Sequence, residues 1–205
     1  MNDENISLYL LERIEIGFFG VGNSGKKTLI EYYKKRSPKI KESRHELLDG
    51  FLYKLPNGKQ VKIYCAHSAD KEFNAIVTSD LLKNTFQNII FVVDLTNSKS
   101  LEKVDEWLKI IDMNKDKSKN IVIFGNKFDL FPEYKKNLSD LKSYAETNKI
   151  QLFCTTATTG YNLDEGLSYI INLALQKEEK DIEKKGDNKE GKTNENGKKK
   201  GCQCC

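Results

Sequence analysis

Short apolar runs alternate with longer amphipathic stretches along most of the chain. The runs 89–93 and 121–124, Ile-Ile-Phe-Val-Val and Ile-Val-Ile-Phe, lack the alternation of a half-exposed strand and are typical of strands covered on both faces. Strands are also predicted at Arg13–Phe19 and around residues 150–155. Helical stretches are predicted beside them, over residues 26–35, 73–84, 98–113, 133–148 and 163–176. The alternation predicts an α/β fold in which helices cover both faces of a parallel sheet.

One hairpin interrupts this alternation. The strand-like runs 47–55 and 60–66 are separated by Pro56-Asn57-Gly58-Lys59, and Asn-Gly between two such runs is a strong hairpin signal. The two runs complete a six-stranded, mostly parallel sheet with one antiparallel edge strand.

Composition changes near the C-terminus. We predict an N-terminal extension at 1–11, a single domain at 12–176 and a disordered, lysine-containing tail at 177–205, where apolar residues are almost absent. No apolar run approaches the roughly 18 residues that span a bilayer, and the start lacks the features of a signal peptide, so a cytosolic protein is expected. A net charge of +4 from 34 basic and 30 acidic residues indicates a solvated surface and argues against nucleic acid as a partner. Cys65 and Cys154 lie in predicted strands and are interpreted as buried small residues.

The first strand leads into a glycine-rich string, Gly-Val-Gly-Asn-Ser-Gly-Lys-Lys-Thr, at residues 20–28. It nearly fits G-x-x-x-x-G-K-[ST], the loop whose backbone N–H groups surround a polyphosphate at a helix N-terminus. The one misfit is Lys27, where a hydroxyl is expected. The predicted nucleotide-binding residues of this loop are Gly20, Gly22, Asn23, Ser24, Gly25, Lys26, Lys27 and Thr28.

Two further motifs follow later strands. In Asn126-Lys127-Phe128-Asp129, a carboxylate just past a buried strand can accept two hydrogen bonds, from N1–H and the exocyclic amine of guanine. Adenine presents an acceptor in place of N1–H and would be rejected. Thr156, Ala157 and Thr158 follow the last strand, where backbone N–H groups could meet the guanine O6.

With these three motifs in this order, the sequence resembles the Ras superfamily of small GTPases over about residues 12–176. The string Val-Asp-Leu-Thr-Asn-Ser-Lys-Ser-Leu at 93–101, Trp107-Leu108 and the terminal double cysteine resemble the Rab branch. The resemblance implies a P-loop small G domain that binds GTP or GDP. By it, Lys26 holds the β- and γ-phosphates, Asn126 and Asp129 fix the base, Lys127 packs over the base, and Thr156 and Ala157 complete the pocket.

The resemblance also implies a biological role. It indicates a monomeric regulator of vesicle-mediated protein transport, with effector, regulator, escort and prenyltransferase proteins as partners. Cys204 and Cys205 are the predicted prenyl acceptors and Cys202 is a third candidate. Such a lipoprotein lies on the cytosolic face of membranes, where Lys198 to Lys200 add attraction to anionic lipid.

The sequence departs from the family where Mg²⁺ and the γ-phosphate are handled. Lys27 replaces the Ser/Thr ligand of Mg²⁺, and an ammonium has no lone pair to donate. Thr28 cannot replace it, because one residue along a helix turns the side chain by about 100°. No threonine occurs between Lys34 and Leu48, where the first switch segment needs one.

The string His67-Ser68-Ala69-Asp70-Lys71 stands where Asp-x-x-Gly-Gln is expected. His67 takes the metal-side position, Asp70 replaces the glycine whose backbone N–H meets the γ-phosphate, and Lys71 replaces the glutamine that orients the attacking water. We therefore assign no catalytic residue and no metal ligand, and Mg²⁺ binding stays open. The prediction is guanine-nucleotide binding with weak or absent hydrolysis. The alternative is a membrane-tethered, non-enzymatic scaffold with an empty or structural pocket. A P-loop kinase or ATPase is disfavoured, because it has no use for the motif at 126–129.

Overall fold

The computed structural model describes residues 11–37, 49–67, 80–111, 118–130, 132 and 134–190, with side chains as far as Lys180. The strands are β1 (Arg13–Phe19), β2 (Asp49–Lys54), β3 (Gln60–His67), β4 (Asn88–Asp94), β5 (Asn120–Asn126) and β6 (Gln151–Cys154). The helices are α1 (Lys26–Arg36), α2 (Lys99–Ile111), α3 (Lys135–Asn148) and α4 (Leu163–Glu190). A π-helical turn at Leu81–Thr85 precedes β4, and a 3₁₀ turn at Phe128–Leu130 follows β5.

The six strands form one sheet in the order β2-β3-β1-β4-β5-β6. Only the β2–β3 pair is antiparallel, so the predicted sheet with one antiparallel edge strand is confirmed. The hairpin turn is closed by bonds from Leu55 N to Lys59 O at 2.8 Å and from Gly58 N to Leu55 O at 2.9 Å. Gly58 has a φ of 88°, which explains the glycine in the predicted turn.

Helices cover both faces of the sheet, as predicted. On one face, α1 and α4 pack over apolar side chains of β1, β2 and β3. On the other, α2 and α3 pack over β4 and β5, with Trp107 stacked on Phe91 at a centroid distance of 5.7 Å. Every residue of β4 is buried, because its side chains enter both layers, which explains its continuous apolar run. Cys65 is a core residue, as expected, whereas Cys154 is only partly buried, because it lies at the end of the edge strand β6. Trp107 is also in the core.

Helix α4 extends beyond the predicted helical stretch 163–176, and its described backbone remains helical to Glu190. An existing helix gains one hydrogen bond per added residue, and Lys and Glu are good helix formers. Lys177 also donates to Ser118 O, which ties the start of this extension to the domain. Residues 191–205, with the terminal cysteines, lie outside the described residues.

The helix predicted over residues 73–84 is described only at its end, as the turn Leu81–Thr85. Lys119 Nζ donates to Lys83 O at 2.7 Å and to Phe86 O at 2.9 Å, and so binds carbonyls at the C-terminal side of that turn. Within the part of the chain that the structure describes, no helix is both long and apolar enough to cross a bilayer.

Candidate functional site

Four parallel strands deliver the predicted site to one edge of the sheet. The carboxyl ends of β1, β4, β5 and β6 lead into the glycine loop, Asp94, the 126–129 motif and the 155–158 segment. This edge is where open parallel sheets bind ligands. The motifs, up to about 130 residues apart in sequence, are therefore neighbours in space because their strands pair in parallel register.

The glycine loop is held by its backbone geometry. Gly25 has a φ of 98° and stands immediately before α1, and Asn23 also lies in the left-handed region with a φ of 59°. A Cβ at Gly25 would overlap the amide of Asn126, and one at Gly20 would overlap Val92 O. Ser24 N closes the turn on Val21 O at 3.2 Å. The two outer glycines of the motif are thus required by close approach, as in a loop built around a polyphosphate.

Two lysines begin helix α1. Lys26 is 5% exposed, and its Nζ donates to Gly20 O at 2.8 Å and to Val21 O at 2.9 Å, so the ammonium lies within the loop. Lys27 and Thr28 are exposed on the same turn, which contains no acidic residue. Two cations at a helix N-terminus oppose the helix dipole, which favours anions there. This charge arrangement suits a bound polyanion.

Asn126 joins the glycine loop at residues 20–28, hereafter the phosphate loop, to residues 155–161 after β6, hereafter the base loop. Asn126 is 1% exposed, and its Nδ2 donates to Ser24 O at 2.8 Å. Its Oδ1 accepts from Ala157 N at 3.0 Å. One side chain therefore fixes two loops that are far apart in sequence.

Lys127 is held by a carboxylate that the sequence analysis did not assign. Its Nζ lies 2.6 Å from Asp94 Oδ2, and its backbone is left-handed with a φ of 65°. Asp94 pairs with Asn126 across the β4–β5 register, directly beside the motif. An acidic residue at the end of a buried strand was the available signal, but the pairing of β4 with β5 that makes Asp94 and Asn126 neighbours was not predicted from the sequence.

The base loop is rigidified by its own hydrogen bonds. Thr156 N donates to Tyr161 O at 3.1 Å, and Gly160 N donates to Thr156 O at 2.9 Å. Thr156 and Ala157 are buried, whereas Thr158 is exposed. The Ala157 amide, one of the donors predicted for guanine O6, is engaged by Asn126 in this structure.

The aromatic side chain inside the 126–129 motif packs on the base loop. Phe128 stacks on Tyr161 with an interplanar angle of 7°, and Phe128 N donates to Thr155 O at 3.1 Å. Asp129 lies in the 3₁₀ turn with an exposed side chain and makes no hydrogen bond or ion pair within the described part of the chain. Its carboxylate is thus available at the surface of the pocket.

Helix α1 also supports the base loop from below. Gly160 has a φ of 83°, and a Cβ there would overlap the ring of Tyr32, which packs against this loop. The Tyr32 hydroxyl in turn accepts a hydrogen bond from Arg36, whose guanidinium lies 4.7 Å from the ring centroid. The helix that starts at the phosphate loop therefore contacts the base loop through one aromatic side chain.

The metal side of the site is only partly described. His67 is the last residue of β3 and pairs with Phe18, next to the start of the glycine loop. Two of the residues expected near the γ-phosphate, Asp70 and Lys71, lie outside the described residues. Of the two serines between Lys34 and Leu48, Ser43 also lies outside them, and Ser37 Oγ accepts from Leu52 N at 2.7 Å. Among the residues with described positions, no three His, Cys, Asp or Glu side chains converge as metal ligands. Lys27 and His67 do not fit Mg²⁺, which prefers oxygen ligands.

Known proteins match most of the chain. A sequence model of the Ras family matches residues 17–176. Ras-related protein Rab-13 of Rattus norvegicus is 28% identical over 120 residues, which cover 58% of this chain and 59% of that protein. Ras-related protein Rab-27B of Bos taurus is 26% identical over 188 residues, or 86% and 84% of the two chains. Rab-2B of Dictyostelium discoideum is 28% identical over 180 residues, or 86% and 87%. From the family match, with its phosphate loop and base motif on one edge of the sheet, the chain belongs to the Ras family as a Rab-like small GTPase.

Proposed function

We propose that the chain is a guanine-nucleotide-binding, membrane-tethered regulator of vesicle traffic that hydrolyses GTP slowly or not at all. The observation that carries the ligand assignment is the Asn126 side chain, which fastens Ser24 of the phosphate loop to Ala157 of the base loop. A protein without a nucleotide has no need to hold a polyphosphate loop and a purine-reading loop at fixed separation. The family match supports the same ligand.

The pocket residues divide between phosphates and base. The backbone of Gly20 to Gly25 and the Lys26 ammonium would hold the phosphates at the N-terminus of α1. The exposed Asp129 carboxylate would accept from guanine N1–H and the 2-amino group. Lys127 would pack over the base, and the 156–158 segment would complete the pocket. The buried position of Asn126 and the exposed position of Asp129 suit these roles.

Weak hydrolysis follows from the residues on the γ-phosphate side. Lys27 has no lone pair for Mg²⁺, and Lys71 cannot accept a hydrogen bond from an attacking water as a glutamine does. The positive charge of Lys27 would partly replace that of a metal ion. Asp70 would repel a γ-phosphate, which favours GDP over GTP.

The direct test is nucleotide binding with Mg²⁺ and with EDTA. We expect the affinity for GDP to change little when EDTA replaces Mg²⁺. Lys27→Thr should create a Mg²⁺-dependent site, because it supplies the missing hydroxyl. Lys35→Thr is the matched control, since it removes an exposed lysine from the other end of the same helix. Strong Mg²⁺ dependence of the wild-type protein with ordinary GTP turnover would refute the proposal.

A second candidate is a non-enzymatic scaffold whose pocket is structural. The observation that favours it is that the phosphate-loop lysine binds its own loop, since Lys26 Nζ donates to Gly20 O and to Val21 O. Thermal shift with GTP, GDP and ATP separates the two candidates. A ligand at 100 times its Kd stabilises the folded state by about 2.7 kcal/mol, so only a nucleotide-binding protein shifts its melting temperature.

The membrane tether would be two prenyl groups on Cys204 and Cys205, with Cys202 as a further acceptor. Two lipid chains anchor stably where one binds marginally, and Lys198 to Lys200 would add about 1 kcal/mol each near anionic lipid. Escort and prenyltransferase proteins would be the partners of this terminus, and effectors and regulators those of the domain. Deletion of the last four residues should release the protein from membranes, and unchanged fractionation would refute the anchor.

A further inference from the structure

We propose that Asp94 is a positioning residue for the guanine base and acts by holding the Lys127 ammonium. The inference rests on the proposed function, because it assigns a new residue to the nucleotide site. In this arrangement Asp94 does not touch the nucleotide, and it fixes the lysine that does.

The Asp94 carboxylate is held at both oxygens. Oδ1 accepts from Thr96 N at 2.9 Å and from Thr96 Oγ1 at 2.7 Å, which leaves Oδ2 directed at Lys127 Nζ, 2.6 Å away. The Asp94 amide donates to Ser100 Oγ at 2.9 Å, which fixes the backbone from which the carboxylate projects. A carboxylate bound on both sides cannot rotate away from the lysine.

The burial of the pair is asymmetric. The Asp94 side chain is 6% exposed and that of Lys127 is 30% exposed. Lysines at protein surfaces usually bury the methylene stem and expose the ammonium. Here the ammonium is engaged by a buried carboxylate, so the methylene stem is the part of Lys127 that is left to contact a ligand. An apolar stem beside Asn126 suits the flat face of a purine and not a phosphate.

The pair also prepares the site before the nucleotide arrives. A free lysine side chain loses rotamer freedom when it packs on a ligand, and that loss weakens binding. The ion pair to Asp94, together with the left-handed backbone of Lys127, removes this freedom in the folded protein. Because Asp94 neutralises the lysine, the contribution is positional and does not depend on attraction to phosphate.

The competing explanation is that the Asp94–Lys127 ion pair is purely structural and only stabilises the packing of β4 against β5. The two strands already pair in register from Asn88–Asn120 to Asp94–Asn126, so the sheet does not depend on this one contact. The explanations differ in what happens when the lysine is absent. A purely structural ion pair contributes to the stability of the fold whether or not a ligand is bound. A positioning residue contributes to nucleotide affinity, and only through Lys127.

A double-mutant cycle on the full chain tests the proposal, with GDP as the titrated ligand in calorimetry. Asp94→Asn should weaken GDP binding about 10-fold, equivalent to about 1.4 kcal/mol. Lys127→Met keeps the stem and removes the ammonium, and in that background Asp94→Asn should change the affinity by less than about twofold. The control Asp105→Asn breaks an ion pair of the same 2.6 Å length, to Lys109 on α2, and should leave the affinity unchanged.

The outcomes separate this inference from the proposed function. A wild-type protein that binds no GDP refutes both. A wild-type protein that binds GDP, with an Asp94→Asn variant that binds equally well, refutes only the positioning role. An equal loss in the Lys127→Met background refutes action through the lysine.

A milder variant guards against misfolding. If Asp94→Asn does not fold, Thr96→Ala removes the 2.7 Å bond that orients the carboxylate without disturbing the buried charge. Thr96 is exposed, so this variant should fold. It should weaken GDP binding about threefold, near the lower end of what one net hydrogen bond contributes, because the Thr96 amide still holds Oδ1. An unchanged affinity would overturn the proposal.

Discussion

Replacing Asn126 by alanine should detach the phosphate loop from the base loop. The change removes two hydrogen bonds, from Asn126 Nδ2 to Ser24 O at 2.8 Å and from Ala157 N to Asn126 Oδ1 at 3.0 Å. Ser24 is 0% exposed and Ala157 is 6% exposed, so water cannot readily replace the lost partner. A buried polar group without a partner costs about 1–3 kcal/mol, and two are created here. We expect the free energy of unfolding to fall by about 2–5 kcal/mol, a large part of a typical domain's stability.

The assay is urea denaturation of nucleotide-free protein followed by far-ultraviolet circular dichroism, with GDP affinity measured in parallel. Asn88→Ala is the matched control. Asn88 is 7% exposed, donates to Glu15 O at 3.1 Å and accepts from Asn120 Nδ2 at 2.8 Å. It lies at the amino end of β4, on the opposite edge of the sheet from the site. Both variants should lose stability, and only Asn126→Ala should lose affinity for GDP.

Two results would refute this reasoning. A loss of less than about 1 kcal/mol in Asn126→Ala would mean that the two loops do not depend on the amide, because even a single unpaired buried group should cost that much. Equal weakening of GDP binding by Asn88→Ala would mean that affinity follows global stability and not the geometry of the site.

Three further predictions concern the glycine turns, a buried thiol and a buried phenol. Gly160→Ala should destabilise the protein by about 1–2 kcal/mol more than Gly58→Ala in urea denaturation. Both glycines have positive φ, but only a Cβ at Gly160 overlaps a neighbour, the Tyr32 ring, whose aromatic and cation–π contacts would have to change. Equal losses of stability in the two variants would contradict this. Burial raises the pKa of the Cys65 thiol well above its usual value, so iodoacetamide should alkylate it, by mass spectrometry, only on unfolding, and labelling of the native protein would contradict this. Burial raises the pKa of Tyr53 from 10.0 to about 12, so its neutral form stabilises the fold below pH 10 and that contribution is lost as the pH rises towards 12. The variant Tyr53→Phe should therefore lose less stability than the wild type between pH 10 and pH 12 in pH-dependent denaturation. An identical loss in the two proteins would contradict this role of Tyr53.

Local signals were sufficient for the elements that position the site. The bounds of β1 agree with the prediction because a strand-like run that ends in Phe18 and Phe19 leads directly into the glycine loop, and the Asn57-Gly58 turn specified its hairpin. The glycine loop and the 126–129 motif were expected at the same edge because both follow strands of a mostly parallel sheet, whose carboxyl ends meet at one edge.

Contacts between side chains from different elements were not predictable in the same way. The pairing of Lys127 with Asp94 depends on a left-handed residue after β5, and neither residue type reports that geometry. The close approach of the Tyr32 ring to Gly160 depends on how helix α1 packs under the base loop. The length of α4 beyond residue 176 depends on backbone hydrogen bonds that propagate an existing helix, which an argument from apolar content does not address.

The position of the single tryptophan provides an optical probe of one layer of the protein. Trp107, on α2, is 6% exposed and packs against Phe19 and Phe91, whereas the phosphate loop continues into α1 on the other face of the sheet. Its emission should therefore report exposure of the α2–α3 layer and respond little to a ligand held at the start of α1. A change in that emission on adding GDP would reveal a movement transmitted through the sheet from one layer to the other.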